Sequence, residues 1–331
     1  MLEGRVTSVL LTVITPAFNE ADNLARLYRQ LCSVLDGDAI DWEWIVIDDH
    51  SSDATPDVLH ELSMRDPRVR GVRFARNQGS HAAIFYGLHR ARGEAAVMIA
   101  ADLQDPPATI LAMIARWRAG AQVVWAVRRA RLDERVPVLS FGRLYYFIMR
   151  RIVGLRGMPS TGADFFLADR MVIEAVNAFP ERHVSVFALL SWLGFRQESI
   201  EYDKQRRTAG RSGWNLGKKV NLVSDSITAF SDLPLRAGGL VGAGVVLLGV
   251  IAAVLALAGV TMGPLTAGTL LILAGVLTVG GVNLVMLAVL GEYVWRALDE
   301  SRRRPPYIIE RQFDGTAAAT TSAAELRSHH R

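Results

Sequence analysis

The chain has 331 residues, half of them apolar and 21% charged, with a net charge of +4. That composition is too apolar for disorder, and the modest arginine excess suits anionic lipid better than nucleic acid, for which no zinc-ligand or RNA-binding pattern is present. The one cysteine, Cys32, excludes an intrachain disulfide, and Met1–Ser8, with one arginine and no long apolar core, predict no secretory signal.

Val9–Thr15 reads as a buried strand ending at Pro16. Ala21–Leu35 has helical periodicity through Leu24, Leu27, Leu31, Val34 and Leu35, and Cys32 within it reads as a buried structural thiol. Trp44–Ile47 is a second strand, running into Asp48-Asp49. Ser52 or Asp53 is placed to cap the next helix, with Pro56 in its first turns. Val69–Phe74 is a third strand, Ser80 to Arg92 a helix, Ala95–Ala100 a fourth strand, 108–119 a helix and 122–127 a fifth strand. Such alternation predicts an α/β domain over residues 1–210, with a mostly parallel sheet covered by helices on both faces. Ligands bind such sheets beyond the carboxyl ends of the strands. The polar clusters fall there: Asn19-Glu20, Asp48-Asp49, Asn77 to His81 with Gly79, and Asp102 to Asp105.

Further on, Leu216, Val220, Val223, Ile227 and Phe230 recur at three- and four-residue steps, with Lys218 and Lys219 near the start. Residues 211–236 therefore read as an amphipathic juxtamembrane segment lying in the interface, with a core helix as the alternative. A second basic and aromatic stretch runs from Phe141 to Arg151. Residues 237–291 contain no Asp, Glu, Lys or Arg. A membrane span needs roughly 20 apolar residues, so this run holds two, 237–259 and 266–291, turning at Met262-Gly263-Pro264. Basic residues flank both ends and the loop between the spans has no charge, so the positive-inside rule puts both termini and the N-terminal domain in the cytoplasm. The expected location is the inner or plasma membrane. Residues 292–311 read as a cytoplasmic juxtamembrane segment and 312–331 as a disordered tail.

The first strand is followed by Pro16-Ala17-Phe18-Asn19-Glu20, with no glycine, so neither a dinucleotide turn nor a P-loop stands there. Acids gather instead. Asp48, Asp49 and Asp102 on one rim need a cation or hydrogen-bond donors to offset their repulsion. A divalent ion with a nucleotide diphosphate satisfies that need, because Mg²⁺ takes a few carboxylates plus substrate phosphates. Helix capping and loop hydrogen bonding are the alternative for Asp48 and Asp49. His81 either contacts a phosphate or caps the helix beside it.

Four motifs, Thr15 to Glu20, Ile47 to Asp53, Asn77 to Ala83 and Ala101 to Pro107, resemble the motif series of family 2 glycosyltransferases, nearest to the polyprenyl-phosphate branch. That branch includes dolichol-phosphate mannose synthases, bactoprenol glucosyltransferases and undecaprenyl-phosphate aminoarabinose transferases. The resemblance continues through Arg207 to Ser212, Ser231 to Arg236, Gly291-Glu292-Tyr293 and Arg304 to Tyr307, and so covers nearly the whole chain in order. It implies a GT-A fold and inverting transfer of a sugar from a nucleotide donor, a UDP-sugar before GDP-mannose, to a polyprenyl phosphate. By position it implies that Pro16, Ala17, Asn19, Glu20, Asp48, Asp49, Gly79 and His81 bind the donor nucleotide. It implies Asp102 and Gln104 as ligands of Mg²⁺ or Mn²⁺, Asp164 as the catalytic carboxylate, and Arg128, Arg143, Arg207 and Ser212 at the phosphates of donor or acceptor. Partners on this reading are the nucleotide sugar, polyprenyl phosphate and membrane lipids, with a homo-oligomer through the membrane helices also admitted.

Three positions depart from the pattern. Ala100 stands where the metal motif usually begins with Asp, Phe166 where an Arg is often found, and Gly213 where a Lys often follows. Two other readings stay open at this point. A processive polysaccharide synthase lacks support, because neither its Gln-x-x-Arg-Trp motif nor further spans are present. A non-catalytic membrane scaffold is favoured by Ala100 and opposed by Asp48, Asp102, Gln104 and Asp164.

Overall fold

The computed structural model describes residues 11–129, 159, 164–179, 185–205 and 305–314, with scattered positions between 244 and 301. The apolar periodicity of the N-terminal part resolves into β1 (Leu11–Ala17), α1 (Ala21–Leu35), β2 (Trp42–Asp48), α2 (Thr55–Arg65), β3 (Val69–Phe74), α3 (Ser80–Arg90), β4 (Ala95–Met98), α4 (Thr109–Arg118) and β5 (Val123–Arg128). Then come β6 (Phe165–Asp169), α5 (Arg170–Asn177), α6 (Val186–Trp192), β7 (Gln197–Tyr202) and β8 (Ile309–Asp314). The strands form one sheet in the order β7-β5-β6-β4-β1-β2-β3-β8.

Around β1 the pairing is parallel, with β2 on one side and β4 on the other, and β3 continues it beyond β2. The centre is dry. Every residue of β2 is buried, and Leu24, Leu27, Leu31 and Leu35 of α1 pack on the sheet. Cys32 sits half-buried against that core, its thiol pushed up by burial, which disfavours the nucleophilic thiolate. Glu43, buried within β2, is neutralised by Arg70 at 2.7 Å and accepts a hydrogen bond from the Thr12 hydroxyl.

The strand predicted to stop at Pro16 continues through Ala17. Proline is tolerated because the carbonyl of Ile14, two residues back on the same edge, already takes the amide of Ile99, past the end of β4. Beyond it no ladder bond needs the missing N–H of Pro16. The predicted strand Ala95–Ala100 ends at Met98 instead, because the chain turns there into the Asp102 loop. Neither Ser52 nor Asp53 is the cap of α2. Ala54 holds that place, and Asp53 instead ties two loops together, accepting from the Thr55 amide and hydroxyl and from the Ala21 amide.

The mostly parallel sheet has two reversed members. β6 runs antiparallel between β4 and β5, and β8 antiparallel on β3. β8 corrects the limits drawn from sequence. Residues 309–311 are not simply juxtamembrane, and Gln312, Phe313 and Asp314 are not part of a disordered tail. Phe313 is buried, and strand pairing satisfies the backbone. The unit that holds the sheet therefore also takes in residues 305–314. The chain divides into one compact unit of 1–180, 184–215 and 305–331, and another of 216–304 with 181–183.

The predicted interfacial segment 211–236, the first span and the stretch from Phe141 to Arg151 fall outside the described residues, apart from position 244. Among the described residues no helix is long and apolar enough to cross a membrane. The described positions from 272 to 301 are helical, and they expose large apolar side chains such as Ile272, Val276, Leu287 and Val294.

Candidate active site

The direction of the strands decides which residues meet. β1, β2, β3 and β4 all end at one rim, which gathers Asn19 and Glu20, Asp48 and Asp49, Gly79 and Asp102. Reversal of β6 brings its amino end to that rim, because Phe166 pairs with Met98 of β4 and Phe165 with Ala126 of β5. Asp164, just before β6, therefore stands beside the loop that carries Asp102. β5 and β7 run together with Arg128 opposite Tyr202, so Arg128 and Lys204 reach the same rim. Of the four non-glycine residues with positive φ among the described residues, Asn19, His50 and Leu103 lie in these loops, where strained backbone commonly marks function.

The first two loops are sewn together. The Asn19 amide donates to the Ser51 hydroxyl at 2.9 Å, the Glu20 amide to the Thr55 hydroxyl at 2.9 Å, and the Ser52 amide to Asn19 Oδ1 at 2.8 Å. The Glu20 carboxylate takes the Asn23 side-chain amide at 2.6 Å. Asp48 is fully buried. It accepts from the Ser51 amide and pairs with Arg73 at 2.7 Å, while Arg73 donates through Nε to Glu310 of β8. Asp49 accepts the Gln78 and Gly79 amides at 2.6 and 2.8 Å, which fixes the entry to α3. Gly79 has φ of +89° at that entry, a conformation that favours glycine. The rim carboxylates thus do serve loop structure, and the same bonds hold them in one cleft. Pro16 and Ala17 close β1 directly beneath them.

His81 accepts from the Val186 amide at 3.4 Å and meets the ring of Phe187 edge-on, which joins α3 to α6. Asp102 accepts from the Gln104 amide at 3.2 Å. Gln104 and Gln205 bond each other twice, through Gln205 N to the Gln104 carbonyl at 2.8 Å and Gln104 Nε2 to the Gln205 carbonyl at 3.4 Å. Arg143, Arg207 and Ser212 lie outside the described residues.

A second group was missed from sequence. Asp105 is fully buried and accepts from the Tyr202 hydroxyl at 2.5 Å. Lys204 Nζ lies 3.3 Å from Asp105 Oδ1 and 3.2 Å from Asp164 Oδ2. Burial pushes the Asp105 carboxyl up, Lys204 pulls it down, and the charges of Asp164 and Asp102 push it up again. Burial works against the Lys204 charge, but Asp164 and Asp105 hold it above the usual lysine range. The available signal was the acid in Gln104-Asp105-Pro106, since a buried carboxylate demands a cation.

Asp102 and Gln104 offer a carboxylate and an amide oxygen, hard donors that fit Mg²⁺ or Mn²⁺. Among the described residues no cluster of three His, Cys, Asp or Glu forms a complete cage. The donor set therefore fits an ion that takes its remaining ligands from substrate phosphate and water.

The parallel strands collect carboxylates and cations on one rim, the place where ligands bind in α/β enzymes of this kind. The chain belongs to glycosyl transferase family 2, whose family model matches residues 12–176, and it is a glycosyltransferase. An uncharacterized glycosyltransferase of Synechocystis is 34% identical, over 91% of this chain and 95% of its own length. The bactoprenol glucosyl transferase of Shigella phage SfV is 33% identical, over 91% of this chain and 98% of its own length. The prophage bactoprenol glucosyl transferase homolog of Escherichia coli is also 33% identical, with the same coverage. A solved structure of glucosyl-3-phosphoglycerate synthase from Mycobacterium tuberculosis is 18% identical, covers 67% of this chain and 80% of its own, and has a TM-score of 0.49. At that distance it says nothing of this chain's ligands.

Proposed function

We propose that this enzyme transfers a sugar, with inversion, from a nucleotide-diphosphate donor to polyprenyl phosphate at the cytoplasmic face of a membrane. A UDP-sugar is the favoured donor and GDP-mannose the second candidate. The observation that carries the reading is likeness over nine-tenths of the chain to proteins named bactoprenol glucosyl transferases, joined to the meeting of Asp102 and Asp164 on one rim. The loops sewn together by Asn19, Ser51 and Asp49 form the cradle for base and ribose. Asp102 and Gln104 would hold the divalent ion, which when bound offsets the charge of the departing diphosphate. The acceptor is a phosphate monoester, with a second pKa near ~6, and is already anionic at neutral pH. Asp164 therefore orients it for in-line attack more than it removes a proton. Arg128, with Arg143 and Arg207, supplies permanent charge for the phosphates.

The membrane location rests on the uncharged run 237–291 and on the exposed apolar side chains of the helical positions 272–298. Pairing of β8 with β3 adds support. Residues on both sides of that run share one sheet, so any membrane between them is crossed an even number of times. The test is transfer of label from a panel of nucleotide sugars to undecaprenyl phosphate in detergent with Mg²⁺ or Mn²⁺, scored in the organic phase. Label from one donor, abolished by chelator, is the expected result. No label from any donor with folded protein sinks the reading.

A further inference from the structure

Lys204 lies outside every motif that carried the family resemblance, yet it makes the direct bond to the candidate catalytic carboxylate. Its ammonium is shared between two acids of unlike burial. Asp105 is fully buried, gripped by the Tyr202 hydroxyl, and its Oδ2 is buried with no hydrogen-bond partner among the described residues. Asp164 has a side chain half exposed to solvent. An ammonium set between a buried acid and a half-exposed one ties the position of the second to the first. Lys204 is itself held. Its side chain is 17% exposed, it follows the end of β7 by two residues, and its neighbour Gln205 is bonded twice to Gln104 in the Asp102 loop. We propose that Lys204 is a positioning residue for sugar transfer, fixing the Asp164 carboxylate beside the Asp102 loop through a bridge anchored on buried Asp105.

The proposal rests on the transfer reading above. Its rival is a plain one, that Lys204 only neutralises a buried acid. The two differ in what happens when both members of the buried pair lose their charge together. Lys204→Met alone leaves Asp105 unpaired in the interior, which lowers the thermal midpoint under either account. Lys204→Met with Asp105→Asn removes that burden and recovers the midpoint, which also supplies folded protein if the single variant is poor. In the double variant Asp164 still lacks its tether. The expected result is a kcat reduced on the order of 10²-fold, the scale of a 1 Å misplacement, with the donor KM unchanged. A double variant that recovers kcat along with its midpoint overturns the proposal and leaves Lys204 a structural counter-ion. A wild type that transfers from no donor is a separate result, which removes the transfer reading and the proposal with it.

Discussion

At the scale of single residues, the two acids of the cleft have unequal work. On the proposed reading Asp102 would hold the metal and diphosphate, whereas Asp164 would face an acceptor that needs little deprotonation. Asp164→Asn should therefore lower turnover by a smaller factor than Asp102→Asn, and steady-state rates showing equal or greater loss at Asp164 would contradict the assignment. Gly79 offers a second case. A methyl group there meets nothing within 4 Å, yet φ is +89°. Gly79→Ala should cost about 1 kcal/mol from backbone strain alone, read in chemical unfolding, with a weakened donor KM because the Gly79 amide holds Asp49. Gly93 is the contrasting case. A Cβ there would lie 2.6 Å from the Thr12 amide nitrogen, in backbone that cannot yield, so Gly93→Ala should destabilise by about 1–3 kcal/mol or more.

Between elements, charge ties helices to strands and sets the acid limit. Asp36 at the end of α1 and Asp66 after α2 share Arg68 at 2.7 and 2.8 Å. The Arg68 and Trp42 hydrogen bonds hold Asp36 below the usual carboxylate range. Burial pushes Asp66 up, but bonds from Arg68 and Tyr28 outweigh it, so it too is lowered. Carboxyls lowered on folding contribute stability that is present above their unfolded value, roughly 3.9, and lost as pH falls through the folded one. The thermal midpoint should fall steeply below about pH 4, and Arg68→Ala should flatten that slope; an unchanged slope would remove Arg68 from the account. Legibility also varied by element. The apolar stripe of α1 was plain, and each of its leucines is buried. β7 and β8, Gln197–Tyr202 and Ile309–Asp314, are polar because they form the two edges of the sheet and lack an apolar run to betray them. β6 is buried but only five residues long, too short for periodicity to decide. The acids of the cleft were legible as strand-end clusters. The Asp105, Lys204 and Tyr202 bonds were not, because they join residues about a hundred positions apart through strands the pattern did not reveal.

For the molecule as a whole, the return of the chain after the uncharged run links the far end to the cleft. Tyr307 stacks on Phe74 at 5.4 Å and meets Tyr86 edge-on, and Glu310 engages the Arg73 that pairs with Asp48. Truncation after Arg304 should therefore lower the thermal midpoint and weaken donor binding together, measured by unfolding with and without nucleotide. A truncated chain that keeps wild-type affinity would confine β8 to a stabilising role.

The place of β8 also has a consequence in time. Synthesis runs at about 5–20 residues per second, and the seven other strands among the described residues are made before residues 206–308 have left the ribosome. Until Ile309–Asp314 follow, β3 keeps a bare edge of unpaired amides and carbonyls, a template for any stray strand. The nascent enzyme is thus most vulnerable while its uncharged run is still being made, and a chain cut short by a late stop codon never leaves that state.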